Sequence, residues 1–426
     1  MTLIKTSLLN GIAVLVKMLT LLGLNKILAI YVGPAGYAVL GQFQNAVQMI
    51  TTLASGAINT GVTKYTAEYG EDAPRQHAVW RTAGTISLAG SLLAAALVAL
   101  FNRQLAVTFL NDETLGSVFL WFAAALVFFV FNTLFLAILN GKKEILRYVT
   151  ANIAGSLFSL VVTAMMAIRF GIYGALVALA IYQSLSFFVT FALVVRADWF
   201  RLAHLVGRVD TGVAKNLAKF TLMALTSSLC VPVSHIIIRN HLGDTLGWEF
   251  AGYWEAMWRL SLAYLMLVTT TLGVYYLPRL SELTELSDLR REILQGYRII
   301  LPVAVVCALG IYTFRDLIIT LLFSEAFAPM AQLFAWQVVG DTLKIASWIL
   351  SYLMLGKAMT GLFIISEITF AALFVFLTTQ FVAAFGLEGA AMAHAANYLV
   401  YGITMAILIP RGLRRAAGQS SSNADL

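Results

Sequence analysis

Two charged residues in an otherwise apolar stretch are the first feature that could do chemistry. Residues 333–350 read LFAWQVVGDTLKIASWIL, with Asp341 and Lys344 near the middle. A charge inside a membrane helix costs roughly 3 kcal/mol or more, so it is rare there unless it is paired or functional. Asp341 and Lys344 lie one helical turn apart and can pair. Two interpretations stay open: a structural pair that neutralises itself, and a switch in which an anionic ligand or a proton competes for one partner.

A stripe of uncharged polar residues follows the predicted helix 36–66. Its members recur every 3 or 4 residues and therefore share one helical face: Gln42, Asn45, Gln48, Thr52, Ser55, Asn59 and Thr63. The stripe is roughly 31 Å long, about the thickness of the hydrocarbon core. We interpret it as the wall of a water-filled cavity, with contact between helices as the alternative. A shorter stripe fits both interpretations equally: His394, Asn397, Tyr401 and Thr404.

Further charged residues fall within or beside apolar segments: Lys17, Lys64, Glu255, Arg259 and Glu367. Lys17 has no acidic residue within a turn, so it needs an anion from elsewhere. Glu255 and Arg259 are spaced to form an ion pair along one helix. Glu367 is an isolated carboxylate and a candidate proton carrier. The excess of positive charge predicts a solute that is anionic and rich in hydrogen-bonding groups.

The composition shows which elements must position these residues. The chain is 60% hydrophobic and 12% charged, whereas soluble domains carry about 25% charged residues. Apolar segments long enough to cross a bilayer recur along the whole chain. We predict an all-α integral membrane protein with twelve transmembrane helices, near 7–31, 36–66, 79–101, 115–139, 148–169, 173–195, 214–240, 249–276, 293–314, 330–355, 360–384 and 388–409.

The distribution of basic residues predicts the orientation. Most Lys and Arg residues fall in segments on the side of the two termini, which places both termini in the cytoplasm. The net charge of +7 reflects this topology, so we do not interpret it as nucleic-acid binding.

Short matches recur at an offset of 215 to 216 residues and at equivalent topological places. They are AGY at 35–37 and 251–253, GK at 141–142 and 356–357, and FGIYGA at 170–175 against FGLEGA at 385–390. The repeat predicts two parallel six-helix lobes around a central cavity. We expect residues 1–205 to form the first lobe, which ends in an interfacial linker helix at ADWFRLAHLVGR. Residues 206–426 form the second lobe, with a short disordered cytoplasmic tail after Arg415.

Motifs for enzymatic or ATP-driven chemistry are absent from the sequence. It contains no GxxxxGK[ST], HExxH or GxSxG, and its two cysteines, Cys230 and Cys307, lie in apolar segments. We therefore expect no metal and no cofactor. The alternatives are a small-molecule or drug antiporter and a membrane-embedded enzyme such as a sugar polymerase. A major-facilitator protein usually has a GxxxDRxGRR-like loop, which YGEDAPRQHAVWR does not match.

Four stretches resemble Wzx-type flippases, the polysaccharide-transport branch of the multidrug/oligosaccharidyl-lipid/polysaccharide exporter superfamily. They are IYVGPAGYAVLGQF at 30–43, ASGAINTGVTKYTAEYG at 54–70, KFTLMALTSSL at 219–229 and LFAWQVVGDTLK at 333–344. The resemblance extends over the whole chain. It is closest to flippases of enterobacterial common antigen, with O-antigen flippases next.

The resemblance implies movement of an undecaprenyl-diphosphate-linked oligosaccharide from the cytoplasmic to the periplasmic leaflet of the bacterial inner membrane. The substrate would be the lipid III unit of enterobacterial common antigen or a related O-antigen repeat unit. It also implies alternating access, contact with membrane lipids, and coupling to a proton or sodium gradient. Polymerase and chain-length proteins of the same pathway are expected partners.

The same resemblance suggests roles for the residues above. The cations that fit a diphosphate are Lys17, Lys64, Arg259 and Lys344. The stripe from Gln42 to Asn59 would line the path of the sugars, and Asp341, Glu367 and Glu255 are candidates for ion coupling or a charge switch. We expect Lys344 to partner a phosphate and Asp341 to neutralise Lys344 when the cavity is empty.

Overall fold

The computed structural model describes residues 3–422 apart from 273–275, 277, 278, 281, 282, 284 and 358. Among these residues the regular structure is helical and no β-strand occurs, which confirms the predicted all-α class. The first α-helices are α1 (Leu3–Tyr31), α2 (Gly33–Ala54), α3 (Asn59–Glu68), α4 (Ala73–Leu100), α5 (Asn102–Leu110), α6 (Gly116–Gly141) and α7 (Ile145–Val195). They are followed by α8 (Thr211–Thr245), α9 (Trp248–Thr271), α10 (Leu286–Thr313), α11 (Arg315–Leu322), α12 (Phe334–Gly356), α13 (Thr360–Phe385) and α14 (Leu387–Ser422).

Eight helical segments in the described part of the chain are long and apolar enough to cross a membrane. One of them, α7, contains Gly171 in the left-handed region at φ 57°, which interrupts its helical backbone. This break lies between the predicted spans 148–169 and 173–195. The total of twelve membrane-spanning helices stays a prediction.

The predicted continuous helix 36–66 is wrong. Helix α2 ends at Ala54 and α3 begins at Asn59, because Gly56 (φ 65°) and Ala57 (φ 52°) adopt left-handed backbone conformations. Left-handed residues cannot continue a right-handed helix. The polar stripe therefore lies on two separate helices and on the turn between them.

Residues 1–236 and 237–426 form two compact units, and the boundary falls inside α8. The predicted division after residue 205 stays a prediction. In the first unit, α6 packs against α3, α4 and α7, and its apolar core includes Trp80, Phe135 and Ile138.

The linker after α7 packs on the first unit. Phe200 and Leu205 are buried in its core, and the backbone oxygen of Leu205 lies so close to Gly84 that a Cβ there would be 2.0 Å away. The predicted interfacial helix is wrong: the linker contains one 3-10 turn, Leu202–His204. Its large apolar side chains pack inward individually instead of forming one face of a helix.

In the second unit, α12 packs against α9, α10, α13 and α14. Its core includes Leu272, Tyr276, Ile349, Leu353 and Tyr401. Helix α14 continues to Ser422, so most of the tail predicted to be disordered is helical, since Arg414 to Ala417 are good helix formers. Residues 423–426 lie outside the described residues.

Candidate functional site

A buried carboxylate lies at the centre of a polar cluster in the second unit. Asp341 of α12 is 2% exposed. Its Oδ2 accepts hydrogen bonds from Ser261 Oγ at 2.6 Å and from the hydroxyl of Tyr264, both on α9. Gln337 Nε2 lies 3.4 Å from Oδ1, and His394 Nε2 of α14 lies 2.9 Å from the same oxygen. Three helices thus direct polar groups at one carboxylate.

The nearby cation is held by aromatic rings. The ammonium of Lys344 lies 4.6 Å from the ring centroid of Trp258, 5.0 Å from that of Trp348 and 5.3 Å from that of Tyr398. Cation–π contacts of this kind strengthen when water is excluded, and Lys344 is buried. We call this arrangement the Lys344 ring cage.

The spacing of Asp341 and Lys344 would allow a direct ion pair, but the structure does not form one. Within the described residues, Asp341 contacts His394 instead, and Lys344 forms no ion pair. The two side chains diverge because α9 and α14 supply hydrogen bonds to the carboxylate, whereas the rings surround the ammonium. Asp341 still acts on Lys344 electrostatically, as does Glu367 of α13. The structure therefore brings together Asp341, Lys344 and Glu367 of the predicted residues.

A second charged cluster in the same unit joins α8 and α9. Glu255 is buried, with Oε1 2.8 Å from Arg259 Nε and Oε2 3.2 Å from Arg239 Nε. The predicted pairing of Glu255 with Arg259 is thus confirmed. Arg239, which is 1% exposed and lies over the ring of Trp254, had not been predicted to take part. One carboxylate between two guanidinium groups leaves the cluster with an excess positive charge.

The polar stripe from Gln42 to Thr63, in the first unit, contains residues that bond to other helices and residues that do not. Gln42 Nε2 lies 3.4 Å from the backbone oxygen of Ile236, and Asn45 Nδ2 lies 3.4 Å from that of Pro232, both on α8. Asn59 Nδ2 lies 3.3 Å from Thr133 Oγ1, and the Thr63 hydroxyl lies 3.2 Å from the backbone oxygen of Ala137, both on α6. These four members join helices, as the alternative interpretation requires.

The other members of the stripe are placed differently. The Thr52 and Ser55 hydroxyls donate to backbone oxygens of their own segment, at 2.8 Å and 3.0 Å. The side chain of Gln48 is exposed. The interpretation of the stripe as a cavity wall therefore applies only to Gln48 and its partly exposed neighbours, and not to the whole stripe.

The two remaining predicted cations, Lys17 and Lys64, belong to the first unit and are exposed. The Lys64 ammonium lies 5.3 Å from the ring centroid of the adjacent Tyr65. Neither is part of the clusters around Asp341 and Glu255, which lie in the second unit.

Sequence reasoning missed the direct partners of Asp341. Ser261, Tyr264 and His394 were not predicted site residues, although His394 belongs to the short polar stripe of α14. The available signal was the charge itself: a carboxylate in mid-helix needs several donors, and a histidine on an apolar helix is a natural candidate.

The fold defines the class of protein. The structure is similar to an inward-facing multidrug resistance MATE family transporter of the MOP superfamily, with a TM-score of 0.77, 17% identity, and 95% of this chain and 96% of that chain covered. It is also similar to a MATE transporter of Vibrio cholerae, with a TM-score of 0.67, 16% identity, and 96% and 98% covered. Together with the eight apolar helical segments, this shows a multi-pass membrane protein with a MATE-like fold.

The sequence comparisons identify the family, whereas the structural comparisons identify only the fold. Residues 3–284 match the family model described as polysaccharide biosynthesis protein. The chain is 32% identical over 402 residues to the lipid III flippases of Escherichia coli K12 and Shigella flexneri, covering 94% of this chain and 96% of each relative. The chain belongs to this polysaccharide biosynthesis family, which confirms the resemblance seen in its sequence.

Proposed function

We propose that this protein is a flippase for an undecaprenyl-diphosphate-linked oligosaccharide, moving it from the cytoplasmic to the periplasmic leaflet of the bacterial inner membrane. The observation that carries the proposal is similarity over almost the whole chain to two proteins named lipid III flippases. The protein is then a transporter and not an enzyme, in agreement with the absence of catalytic motifs from its sequence.

The chemistry of the substrate explains why a protein is needed. A diphosphate and several sugars cannot cross hydrocarbon unaided, because each unsatisfied polar group costs several kcal/mol. Two parallel six-helix lobes that alternate around a central cavity would let the polar part cross while the isoprenoid tail stays in lipid. We place both termini in the cytoplasm.

The exposure of the four proposed diphosphate contacts supports some of them more directly than others. Lys17 and Lys64 of the first unit are exposed, which supports each of them as a phosphate contact. Arg259 of the second unit is partly exposed and is paired with Glu255, so a phosphate would compete with that carboxylate. Lys344 is enclosed by its ring cage. A direct contact between Lys344 and a phosphate requires Trp258 or Trp348 to turn away.

A gene deletion tests the function in cells. Lipid-linked oligosaccharides are extracted and quantified from the deletion strain and after restoring the wild-type gene. We expect a complete repeat unit to accumulate in the deletion strain and to clear with the wild-type copy. No accumulation in a strain that lacks every other flippase of this class would contradict the proposal and favour a small-molecule antiporter.

A further inference from the structure

The histidine beside Asp341 has one ring nitrogen in use and one without a partner. His394 is 1% exposed, and its Nε2 lies 2.9 Å from Asp341 Oδ1. Among the described residues no donor or acceptor reaches its Nδ1, which is buried. Buried polar atoms nearly always have a hydrogen-bond partner, so each exception needs an explanation.

The surroundings of Asp341 determine which nitrogen carries the proton in the neutral ring. Ser261 and Tyr264 donate hydrogen bonds to Oδ2, and these donors stabilise an ionised carboxylate. An ionised carboxylate only accepts hydrogen bonds, so Nε2 of His394 must donate to Oδ1. Nδ1 is then a bare lone pair inside the second unit.

The neighbours of the His394 ring are mainly aromatic. The ring of His394 lies edge-on to Trp258 at 5.2 Å, Tyr398 at 5.0 Å and Phe374 at 6.0 Å between centroids. A protonated His394 would gain the Asp341 carboxylate as an ion-pair partner, whereas burial and the nearby ammonium of Lys344 oppose the charge. Asp341 is therefore the group that would hold an imidazolium once a proton arrives.

The charged and titratable groups around the ring come from each helix that packs on it. Helix α9 brings Tyr264, α12 brings Asp341 and Lys344, α13 brings Glu367, and α14 itself brings Tyr398 and Tyr401. Asp341 and Lys344 balance each other in charge. A proton on His394 would leave one excess positive charge beside Asp341 and Lys344, and Glu367 interacts with Lys344.

The same geometry favours a proton over a sodium ion. A hard cation needs several oxygen lone pairs directed at it. The groups at Asp341 are instead hydroxyl, amide and imidazole donors that direct hydrogens at the carboxylate.

We propose that Nδ1 of His394 is the proton-binding atom that couples this transporter to a proton gradient, an inference that rests on the proposed flippase function. A hydronium ion gives its proton to the Nδ1 lone pair: one O–H bond breaks, one N–H bond forms, water is left, and an imidazolium paired with Asp341 results. Release of the proton restores the neutral ring. Because Asp341 and Lys344 share α12, the change in charge at His394 acts on both.

Gly340 positions the ring. A Cβ at Gly340 would lie 2.3 Å from Cδ2 and 3.1 Å from Nε2 of His394. Gly340→Ala therefore displaces the ring from Asp341 without changing a titratable group. Gly310→Ala is the matched control in the same unit, because nothing lies within 4 Å of a Cβ there.

The direct test is nuclear magnetic resonance of the purified full-length protein with labelled histidine. The signal absent from His394→Gln is assigned to His394. We expect the Nε2–H tautomer at high pH and a doubly protonated ring after acidification to about pH 5, the acid end of the range in which histidine ordinarily titrates. A ring that stays neutral over this range, or that carries its proton on Nδ1 at high pH, overturns the proposal. This test uses no substrate, so it is independent of the flippase function.

The second test reconstitutes the protein in vesicles with lipid-linked oligosaccharide extracted from the deletion strain. If one proton moves per substrate, each pH unit of difference across the membrane supports about a tenfold ratio of lipid-linked oligosaccharide between the two leaflets. We expect the leaflet ratio to follow the pH gradient in the wild type and in Gly310→Ala. In His394→Gln and Gly340→Ala we expect the ratio to be independent of the gradient. Gradient-driven transport by His394→Gln, or wild-type flipping that ignores the gradient, overturns the proposal. Absence of any flipping by the wild type would instead count against the proposed function.

Discussion

Polar residues inside the two units are satisfied in different ways. In the first unit, Gln42 and Asn45 direct their amides at backbone oxygens of α8, and Asn59 contacts a threonine. In the second unit, Asp341 is surrounded by side-chain donors from three helices. The first pattern joins helices through uncharged groups. The second assembles charges whose burial is costly, and such an arrangement indicates function more strongly than polar periodicity does.

The largest effect expected from this comparison is at Asp341. Asp341→Ala leaves the buried donors of Ser261, Tyr264 and His394 without their acceptor, and Lys344 loses the nearby opposite charge. Each buried donor that is left unsatisfied costs about 1 to 3 kcal/mol, and three donors lose their acceptor here. We expect a clear fall in the midpoint of thermal unfolding in detergent and loss of flipping. Gln42→Ala is the matched control, and an equal effect of the two substitutions would break the comparison.

The next effect is at the second charged cluster. Glu255→Gln leaves Arg239 and Arg259 facing each other, with Arg239 almost fully buried. We expect a loss of about 3 kcal/mol, because removing one partner of a buried ion pair leaves an uncompensated buried charge. Adding Arg239→Met to Glu255→Gln should recover much of it, since the repulsion is then removed. If the single substitution leaves the unfolding midpoint unchanged, this cluster does not depend on its ion pairs.

A smaller effect separates the two kinds of residue within the stripe. Gln42→Leu removes a contact between helices, and such contacts contribute about 0.6 kcal/mol on average in membranes. Gln48→Leu changes an exposed side chain. We expect Gln42→Leu to lower the unfolding midpoint slightly with little change in flipping. Gln48→Leu should show the reverse: reduced flipping at unchanged stability. If Gln42→Leu and Gln48→Leu change stability and flipping in the same way, the stripe does not divide into residues that join helices and residues that line a cavity.

The smallest effect concerns a titratable group of the first unit that lies outside the apolar helices. His204 of the linker stacks on His77 with 3.7 Å between ring centroids. Burial, followed by Arg201 and Arg81, lowers the pKa of His204 from its ordinary 6.5. The docked linker therefore disfavours the proton, and its docking weakens as the pH falls below about 6.5.

Hydrogen exchange of residues 200–207 measured against pH checks this prediction. We expect faster exchange on acidification in the wild type and a flatter profile in His204→Gln. His241→Gln, in the second unit, should keep the wild-type profile. A linker whose exchange is independent of pH in the wild type would contradict the argument.

The sequence predicted the helical class and the family, and it identified the buried charges of Asp341, Lys344 and Glu255, because apolar length and mid-helix charge are local signals. It could not predict the break between α2 and α3, since alanine seldom adopts the left-handed backbone conformation that Ala57 has here. It also could not predict the partners of Asp341, because Ser261 lies 80 residues away and His394 lies 53 residues away along the chain. Only the packing of α9, α12 and α14 brings these side chains together.

The measurement that tests the central claim most directly is flipping by the purified protein in sealed vesicles. Lipid-linked oligosaccharide from the deletion strain is placed in both leaflets, and a membrane-impermeant sugar oxidant is added outside. We predict that wild-type protein exposes the inner-leaflet pool to the oxidant, whereas Asp341→Ala leaves that pool protected. An inner pool that stays protected in wild-type vesicles, with the protein folded and inserted, would contradict the account.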